Sequence, residues 1–214
     1  MNTIYLFFIT LFLLITGPFY GQDGQREFIS YRAEGNILEV EVSDGLYRLL
    51  PYTTKIMECS FIPAGETYDP QSHAVVLTPE SLEAQVSDLG HALTWSASGL
   101  TVRIDKSPFR ITYFYKDKLI SERRGFIASD STRQIEFKLE KDEALYGGGA
   151  RVLGMDRRGN LLKLYNRAHY GYETHSELMN YTMPLVLSSK MYAIHFDNAP
   201  IGYLDLDSEG NNTL

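Results

Sequence analysis

Apolar and polar residues alternate in short runs along most of the chain. In residues 36–44, "NILEVEVSD", the pattern places Leu38, Val40 and Val42 on one face, opposite a face rich in glutamate. Strict alternation of this kind is typical of a strand with one buried face, so these three residues are expected to point into a core. Further strands are predicted at residues 55–63, 73–78, 82–88, 92–98, 100–106, 109–116, 133–139 and 191–197.

Turn-forming residues follow several of these runs, as in Ser43-Asp44-Gly45, Ala64-Gly65 and Ser98-Gly99. Beyond the N-terminal apolar segment, no long window keeps the period of a helix. Short strands with frequent turns indicate a sandwich or a barrel, and we predict an all-β fold, an antiparallel β-sandwich. The 15 Tyr and 11 Phe residues suit pleated, half-buried surfaces and also offer rings that could stack on sugars.

The N-terminus carries an apolar segment, residues 4–15, followed by Pro18 and Gly21. This segment is too short for a stable membrane span but has the character of a secretory signal. We therefore expect residues 1–22 to be a signal peptide, residues 23–214 to form the sandwich domain, and the protein to be secreted or periplasmic. The alternative is an uncleaved anchor.

Charge and cysteine content narrow the function classes. The formal net charge is −7 and no run of Lys or Arg is present, which argues against a nucleic-acid partner. Cys59 is the only cysteine, so no internal disulfide can form, and its place in an alternating run predicts a small core residue. The acidic pair Asp142-Glu143 is expected to lie in a turn, with both carboxylates exposed to solvent.

The glycine triplet Gly147-Gly148-Gly149 fits neither of the common phosphate-binding motifs. A dinucleotide fingerprint would need a third glycine where Val152 stands, and a Walker loop would need a Gly-Lys-Ser/Thr sequence. The triplet is better explained by backbone with positive φ or by close approach of another segment.

Polar and aromatic side chains crowd the stretch from residue 166 to residue 173. A sugar presents an apolar face and a rim of hydroxyls, which rings and bidentate polar groups match. Zinc would require three or four ligands at known spacings, which His169, Glu173 and His175 do not provide, so we predict no metal and no cofactor. An ordinary surface loop is the alternative. The candidate substrate-binding residues are Asn166, Arg167, His169, Tyr170, Tyr172 and Glu173.

Three segments carry a resemblance to a known family: "LYGGGARVLGMDRRG" from Leu145, "LYNRAHYGY" from Leu164, and "MNYTMPLVLSSKMYAIHFDNA" from Met179. They are similar to the Tyr-Gly-x-Gly-Glu segment with its Arg-Arg-Gly turn, the Leu-Trp-Asn loop, and the Pro-to-Asp-Asn strand pair of the N-terminal region of glycoside hydrolase family 31, the α-glucosidase family. The upstream run "GLTVRIDKSPFRITYFYKDKLISE" also resembles the paired strands of this family.

The resemblance implies a galactose-mutarotase-like sandwich of the supersandwich type, followed in the same parent protein by a catalytic (β/α)8 barrel. It also implies an oligosaccharide substrate whose terminal α-linked sugar is cleaved with retention by two aspartates of the barrel. Such carboxyl groups stand about 5–5.5 Å apart. No barrel signature is present in these residues, so we expect the chain to be the front piece of a longer enzyme with no catalytic residue of its own.

The resemblance further implies that the loop from Asn166 to Glu173 borders the sugar site. Ala168 stands where many members have an aspartate, and Ala150 stands where many have a glutamate, which puts the usual contact of that aspartate in doubt. The sequence is also consistent with two other functions. One is a stand-alone carbohydrate-binding module without activity, and the other is a mutarotase-like epimerase using His195 with Glu173.

Overall fold

A computed structural model describes residues 26–128, 132–167, 170–171, 181–197 and 201–214. Every regular element in these ranges is a β-strand, and all strand pairs are antiparallel. The strands are β1 (Phe28–Glu34), β2 (Ile37–Val42), β3 (Gly45–Thr53), β4 (Ile56–Pro63), β5 (Gln85–Asp88), β6 (Ala92–Ala97), β7 (Leu100–Lys106), β8 (Phe109–Tyr115), β9 (Lys118–Ala128), β10 (Arg133–Lys138), β11 (Leu145–Gly147), β12 (Asn160–Leu164), β13 (Leu185–Ser188), β14 (Tyr192–His195) and β15 (Gly202–Leu206).

Two large sheets form the sandwich. One has four strands in the order β1-β2-β3-β4, and the other has six in the order β10-β9-β8-β7-β6-β5. Successive strands are neighbours, so each sheet is a meander of hairpins, as expected for strands joined by short turns. The predicted all-β antiparallel sandwich is therefore confirmed.

The main core lies between the inner faces of these two sheets. Leu38 and Val40 of β2 are fully buried and Val42 is nearly so, as their alternation predicts. Trp95 of β6 and Tyr47 of β3 are the largest fully buried side chains of this core. Tyr47 packs against Phe61 and Phe109, whose ring centroids lie 4.7 Å and 5.3 Å from its own.

A second core lies under two small sheets, the three-stranded sheet β11-β13-β14 and the two-stranded sheet β12-β15. It is built from Leu145, Leu162, Val186, Leu204 and Leu206, together with residues around β10 and the C-terminal Leu214. The C-terminal residues join this core because the backbones of Phe137 and Leu214 exchange hydrogen bonds. Tyr113 of β8 packs against both cores and so connects them.

Several sequence predictions need correction. Residues 73–78 form no strand, and Val76 is 96% exposed, because no neighbouring strand pairs with this segment. The run at 82–88 forms a strand only from Gln85. Cys59 is half-buried and packs at the edge of the main core. The predicted signal peptide, residues 1–22, lies outside the described residues.

Candidate functional site

The candidate sugar-binding loop begins where β12 ends, at Leu164. The first of its polar residues, Asn166, accepts hydrogen bonds at Oδ1 from the backbone N–H of Thr182, at 2.5 Å, and from the Thr182 hydroxyl, at 3.0 Å. Thr182 is buried and immediately precedes the segment leading into β13. Asn166 is therefore an anchor that joins the loop to the segment leading into β13.

Beyond this anchor the described side chains of the loop face solvent. Arg167 is exposed and Tyr170 is 89% exposed. A guanidinium group and an aromatic ring are thus presented on the same loop, next to a fixed point of the backbone. The other predicted substrate-binding residues, His169, Tyr172 and Glu173, lie outside the described residues, as does Ala168.

A buried arginine supports the base of this loop. Arg151 is 7% exposed, and its Nη2 donates to the carbonyl of Lys163 in β12 at 2.6 Å. Its Nε donates to the carbonyl of Gly148 at 3.3 Å. Arg151 therefore connects the glycine triplet to the end of the strand from which the loop emerges.

The glycine triplet is explained by close packing within the chain. All three glycines have positive φ, from 75° to 110°. A Cβ added at Gly147 would stand 2.1 Å from the carbonyl oxygen of Leu185 in β13, and one at Gly149 would stand 2.6 Å from the carbonyl oxygen of Tyr181. Only glycine fits these positions, so the predicted close approach and positive φ are confirmed.

The charged turn after the glycine triplet, residues 156–159, is held by hydrogen bonds to several distant parts of the chain. Asp156 Oδ1 accepts from the backbone N–H groups of Leu145 and Arg158, both at 3.0 Å. Arg158 donates Nε–H to Asp207, Nη1–H to three backbone carbonyls of residues 140–143, and Nη2–H to Asn212. The turn binds the strands of the second core together, and every one of these groups is occupied by the fold.

The prediction that Asp142-Glu143 is a solvated pair is wrong for Glu143, which is 3% exposed. Its Oε1 accepts from the hydroxyls of Ser188 and Tyr192, and its Oε2 accepts from the backbone N–H of Glu140 at 2.8 Å. Burial and the hydrogen bond to Glu143 raise the pKa of Tyr192 well above its ordinary value. Sequence alone does not reveal this carboxylate, because its partners come from β13 and β14, some 45 residues later.

A second polar and aromatic cluster lies on the outer face of the four-stranded sheet. Glu58 Oε1 accepts from the hydroxyls of Tyr68, at 2.8 Å, and Ser60, at 2.7 Å, while its Oε2 accepts from Tyr52 at 3.1 Å. Arg48 stacks on the Tyr68 ring, with 4.7 Å between Cζ and the ring centroid. Burial and Glu58 raise the pKa of Tyr68 to about 12. The sequence analysis missed this cluster, although Arg48 and Ser60 are paired across β3 and β4.

The described residues hold no group of three or more His, Cys, Asp or Glu side chains arranged to bind a metal ion. His195, one member of the pair considered for an epimerase, is exposed on β14, and its proposed partner Glu173 is not described. Within the ranges given above, no helix has the length and apolar character needed to cross a membrane.

The fold and the loop define a class of protein, a galactose-mutarotase-like β-sandwich that presents a polar loop at its edge. Residues 34–205 match the family described as the glycosyl hydrolase 31 N-terminal galactose mutarotase-like domain. Because this match covers most of the chain, the chain belongs to that family.

Known proteins similar to the chain include a curated relative and several solved structures. Alpha-glucosidase 2 of Bacillus thermoamyloliquefaciens is 27% identical over 177 residues, which is 76% of this chain and 22% of that protein. The GH31 dextranase of Flavobacterium johnsoniae, solved with glucose, has a TM-score of 0.81 at 21% identity over 87% of this chain and 24% of its own. The cycloalternan-forming enzyme of Listeria monocytogenes, solved with a pentasaccharide substrate, has a TM-score of 0.74 at 18% identity, covering 88% of this chain and 19% of its own.

These structures share the fold, and the chain spans only about a quarter of the length of the relatives it matches. The resemblance to family 31 seen in the sequence is therefore confirmed for the domain.

Proposed function

We propose that this chain is the N-terminal, non-catalytic domain of an exported α-glucosidase-like glycoside hydrolase. The complete enzyme removes terminal α-linked sugars from oligosaccharides with retention of configuration. The observation that carries the proposal is the family match over residues 34–205. Similarity to an α-glucosidase supports the proposed substrate class. The apolar segment from residue 4 to residue 15 supports the proposal that the protein is exported.

The chemistry is assigned to a barrel outside these residues. Retention requires two carboxyl groups about 5–5.5 Å apart with the scissile bond between them. Of the described acidic residues, only Glu143 and Asp207 are buried, and both accept hydrogen bonds that hold the second core together. Neither is available to attack a sugar or to protonate a leaving group.

The domain borders the sugar site with the loop that follows β12. Asn166 fixes the loop through Thr182, while Arg167 and Tyr170 stay exposed. The Tyr170 ring can cover the apolar face of a sugar, and Arg167 can donate to two adjacent hydroxyls. These contacts bind the substrate and orient it without taking part in bond cleavage.

The domain also covers part of the barrel surface, and the outer face of the β12-β15 sheet is the contact. Leu161 is 49% exposed and Tyr203 is 63% exposed, whereas their neighbours Leu162 and Leu204 are buried. Exposed Ile201 adjoins them. Apolar side chains on both faces of a two-stranded sheet are typical of a sheet covered by a second layer.

The test uses the complete polypeptide that carries this domain, assayed on oligosaccharides with terminal α-linked glucose. Arg167→Ala combined with Tyr170→Ala is expected to raise KM about tenfold, equivalent to roughly 1.4 kcal/mol, with little change in kcat, because the loop binds rather than reacts. The matched control is Arg103→Ala, which changes a half-exposed arginine on β7 of the six-stranded sheet and should leave both constants unchanged.

Two results would point elsewhere. A complete polypeptide that binds oligosaccharides but hydrolyses none would favour the alternative of a carbohydrate-binding module. Retention of the residues preceding Gln22 on the exported protein would contradict the signal peptide, and N-terminal sequencing of the secreted or periplasmic material would show it.

A further inference from the structure

Arg48 and Glu39 are neighbours on the outer face of the four-stranded sheet, yet they form no ion pair. The two residues are directly opposite each other in the antiparallel register of β3 and β2. Opposite charges in such positions usually attract each other across the strands. Within the described part of the chain, however, no carboxylate lies within 4.0 Å of the Arg48 guanidinium, and Glu39 accepts from Arg32 instead, at 3.1 Å.

A tyrosine ring holds the Arg48 guanidinium in place. Its Cζ lies 4.7 Å from the centroid of the Tyr68 ring, and its Nη1 donates to the Tyr68 hydroxyl at 3.3 Å. Tyr68 is fixed in turn, because its hydroxyl donates to Glu58 at 2.8 Å. The position of Arg48 is therefore set before any ligand arrives, which lowers the entropy cost of binding.

Both charged side chains keep hydrogen-bonding capacity that the fold does not use. An arginine has five N–H donors, and the Tyr68 hydroxyl is the one acceptor that the described residues supply to Arg48. Glu39 receives a hydrogen bond at Oε2 from Arg32, and the described residues supply no donor to its Oε1. No unpaired polar atom of Arg48 or Glu39 is buried, so these groups can reach a ligand from solvent.

These groups line one cavity of about 80 Å³, whose walls are Arg32, Glu34, Ile37, Glu39 and Arg48. Two arginines and two glutamates balance each other, so the cavity favours neither an anion nor a cation. Ile37 adds an apolar wall. The volume is far below the roughly 300 Å³ of a pocket that encloses a small molecule. The cavity therefore suits the polar edge of a neutral ligand whose remainder stays outside.

We propose that this cavity is a second carbohydrate-binding site, which holds the hydroxyl edge of an α-glucan chain between Arg48 and Glu39. A sugar hydroxyl both donates and accepts, so adjacent hydroxyls match a guanidinium beside a carboxylate. The choice of an α-glucan rests on the proposed function, whereas the site rests on the contacts of these residues. The loop after β12 takes no part in it. The site keeps a long substrate attached to the enzyme.

The experiment measures retardation of the complete polypeptide in native gels that contain soluble starch or dextran. The polypeptide carries Arg167→Ala and Tyr170→Ala, so that the loop after β12 contributes little to retardation. At least one of the two glucans should slow its migration. Adding Arg48→Met, which keeps the length of the side chain without its donors, should raise the Kd for that glucan about tenfold, the loss expected for hydrogen bonds to a charged group.

Further variants separate this site from a general effect of charge or folding. Arg48→Lys keeps the charge but loses the planar fork, and should also weaken retardation. Glu39→Gln removes the carboxylate charge with little change in size, and tests the same site if Arg48→Met lowers Tm. The matched control is Arg103→Met, which changes an arginine on β7 whose side chain is 42% exposed, and it should migrate like the protein without it.

Two results would overturn the site without touching the proposed function. One is a polypeptide that hydrolyses α-glucosides but is retarded by neither glucan. The other is retardation that stays the same in Arg48→Met and in Glu39→Gln, since the glucan would then bind elsewhere. Retardation that depends on Arg48 in a polypeptide without hydrolysis would support the site and contradict the proposed enzyme.

Discussion

Arg158 Nε donates a hydrogen bond to Asp207 Oδ2 at 2.8 Å, and Asp207 directly follows Leu206 of the second core. The two side chains are 16% and 5% exposed. Arg158 also closes the turn between β11 and β12, while Asp207 Oδ1 accepts from the backbone N–H groups of Asn212 and Thr213 after β15. One pair thus connects three parts of the chain.

Replacing Arg158 with Met should lower the free energy of unfolding by about 3 kcal/mol, because it leaves the buried Asp207 carboxylate and several carbonyl groups without their donor. Urea denaturation measures the change. The control is Arg133→Met, which breaks the exposed pair with Glu66 and should change the free energy of unfolding much less than Arg158→Met does. Equal losses of unfolding free energy in the two variants would contradict the structural role assigned to Arg158.

The same pair predicts a pH dependence. Burial alone would raise the pKa of Asp207, but the hydrogen bonds from Arg158, Thr213 and Asn212 outweigh it and lower the pKa below the ordinary value of 3.8. A lowered pKa stabilises the folded state fully above 3.8, and this stabilisation is lost as the pH falls through the folded-state pKa. We expect Asp207→Asn to be less stable than wild type at neutral pH, with a smaller difference at about pH 3. A difference that does not change with pH would be inconsistent with this assignment.

The glycine triplet allows a direct test of close packing. Gly147→Ala should cost more than about 3 kcal/mol, because the new Cβ meets the Leu185 carbonyl at 2.1 Å in addition to the strain of positive φ. Gly65→Ala is the matched control, since Gly65 also has positive φ, 84°, but nothing lies within 4 Å of its Cβ position. That variant should show the φ cost alone, about 1 kcal/mol. Similar losses for both would show that the packing contributes nothing.

Asn166 is expected to support the sugar loop rather than bind sugar. Asn166→Ala should lower stability by about 1–2 kcal/mol, because it leaves the N–H and hydroxyl of Thr182 without an acceptor. Asn166→Asp keeps an oxygen acceptor and should lose less. Chemical denaturation of the three proteins measures these differences, and an alanine variant as stable as wild type would show that the anchor is dispensable.

The sequence predicts the main core well and the second core poorly. Alternation identifies the buried face of β2, because each strand of a meander pairs with its neighbour in sequence and shows a period of two. β11, β12 and β15 are short and pair only with strands distant in sequence, as in the pairing of Asn160 with Leu206. Their stability comes from contacts such as the Arg158–Asp207 pair, which leave no local pattern.

The candidate site, too, is predicted only in part from the sequence. Composition identifies the loop after β12, and the resemblance to family 31 assigns it to a sugar site. Neither distinguishes the anchor Asn166 from the exposed Arg167, because that distinction depends on Thr182, 16 residues later. Glu143 was assigned to solvent for the same reason, since its partners lie on β13 and β14.

The most direct test of the central claim compares two preparations on an aryl α-glucoside, the complete polypeptide that carries this domain and the 214-residue chain alone. If the chain forms a wall of the sugar site and supplies none of the reacting acids, the complete polypeptide releases α-glucose as the first product and the chain alone shows no rate above buffer. Hydrolysis by the chain alone, or no hydrolysis of any α-glycoside by the complete polypeptide, would contradict the account.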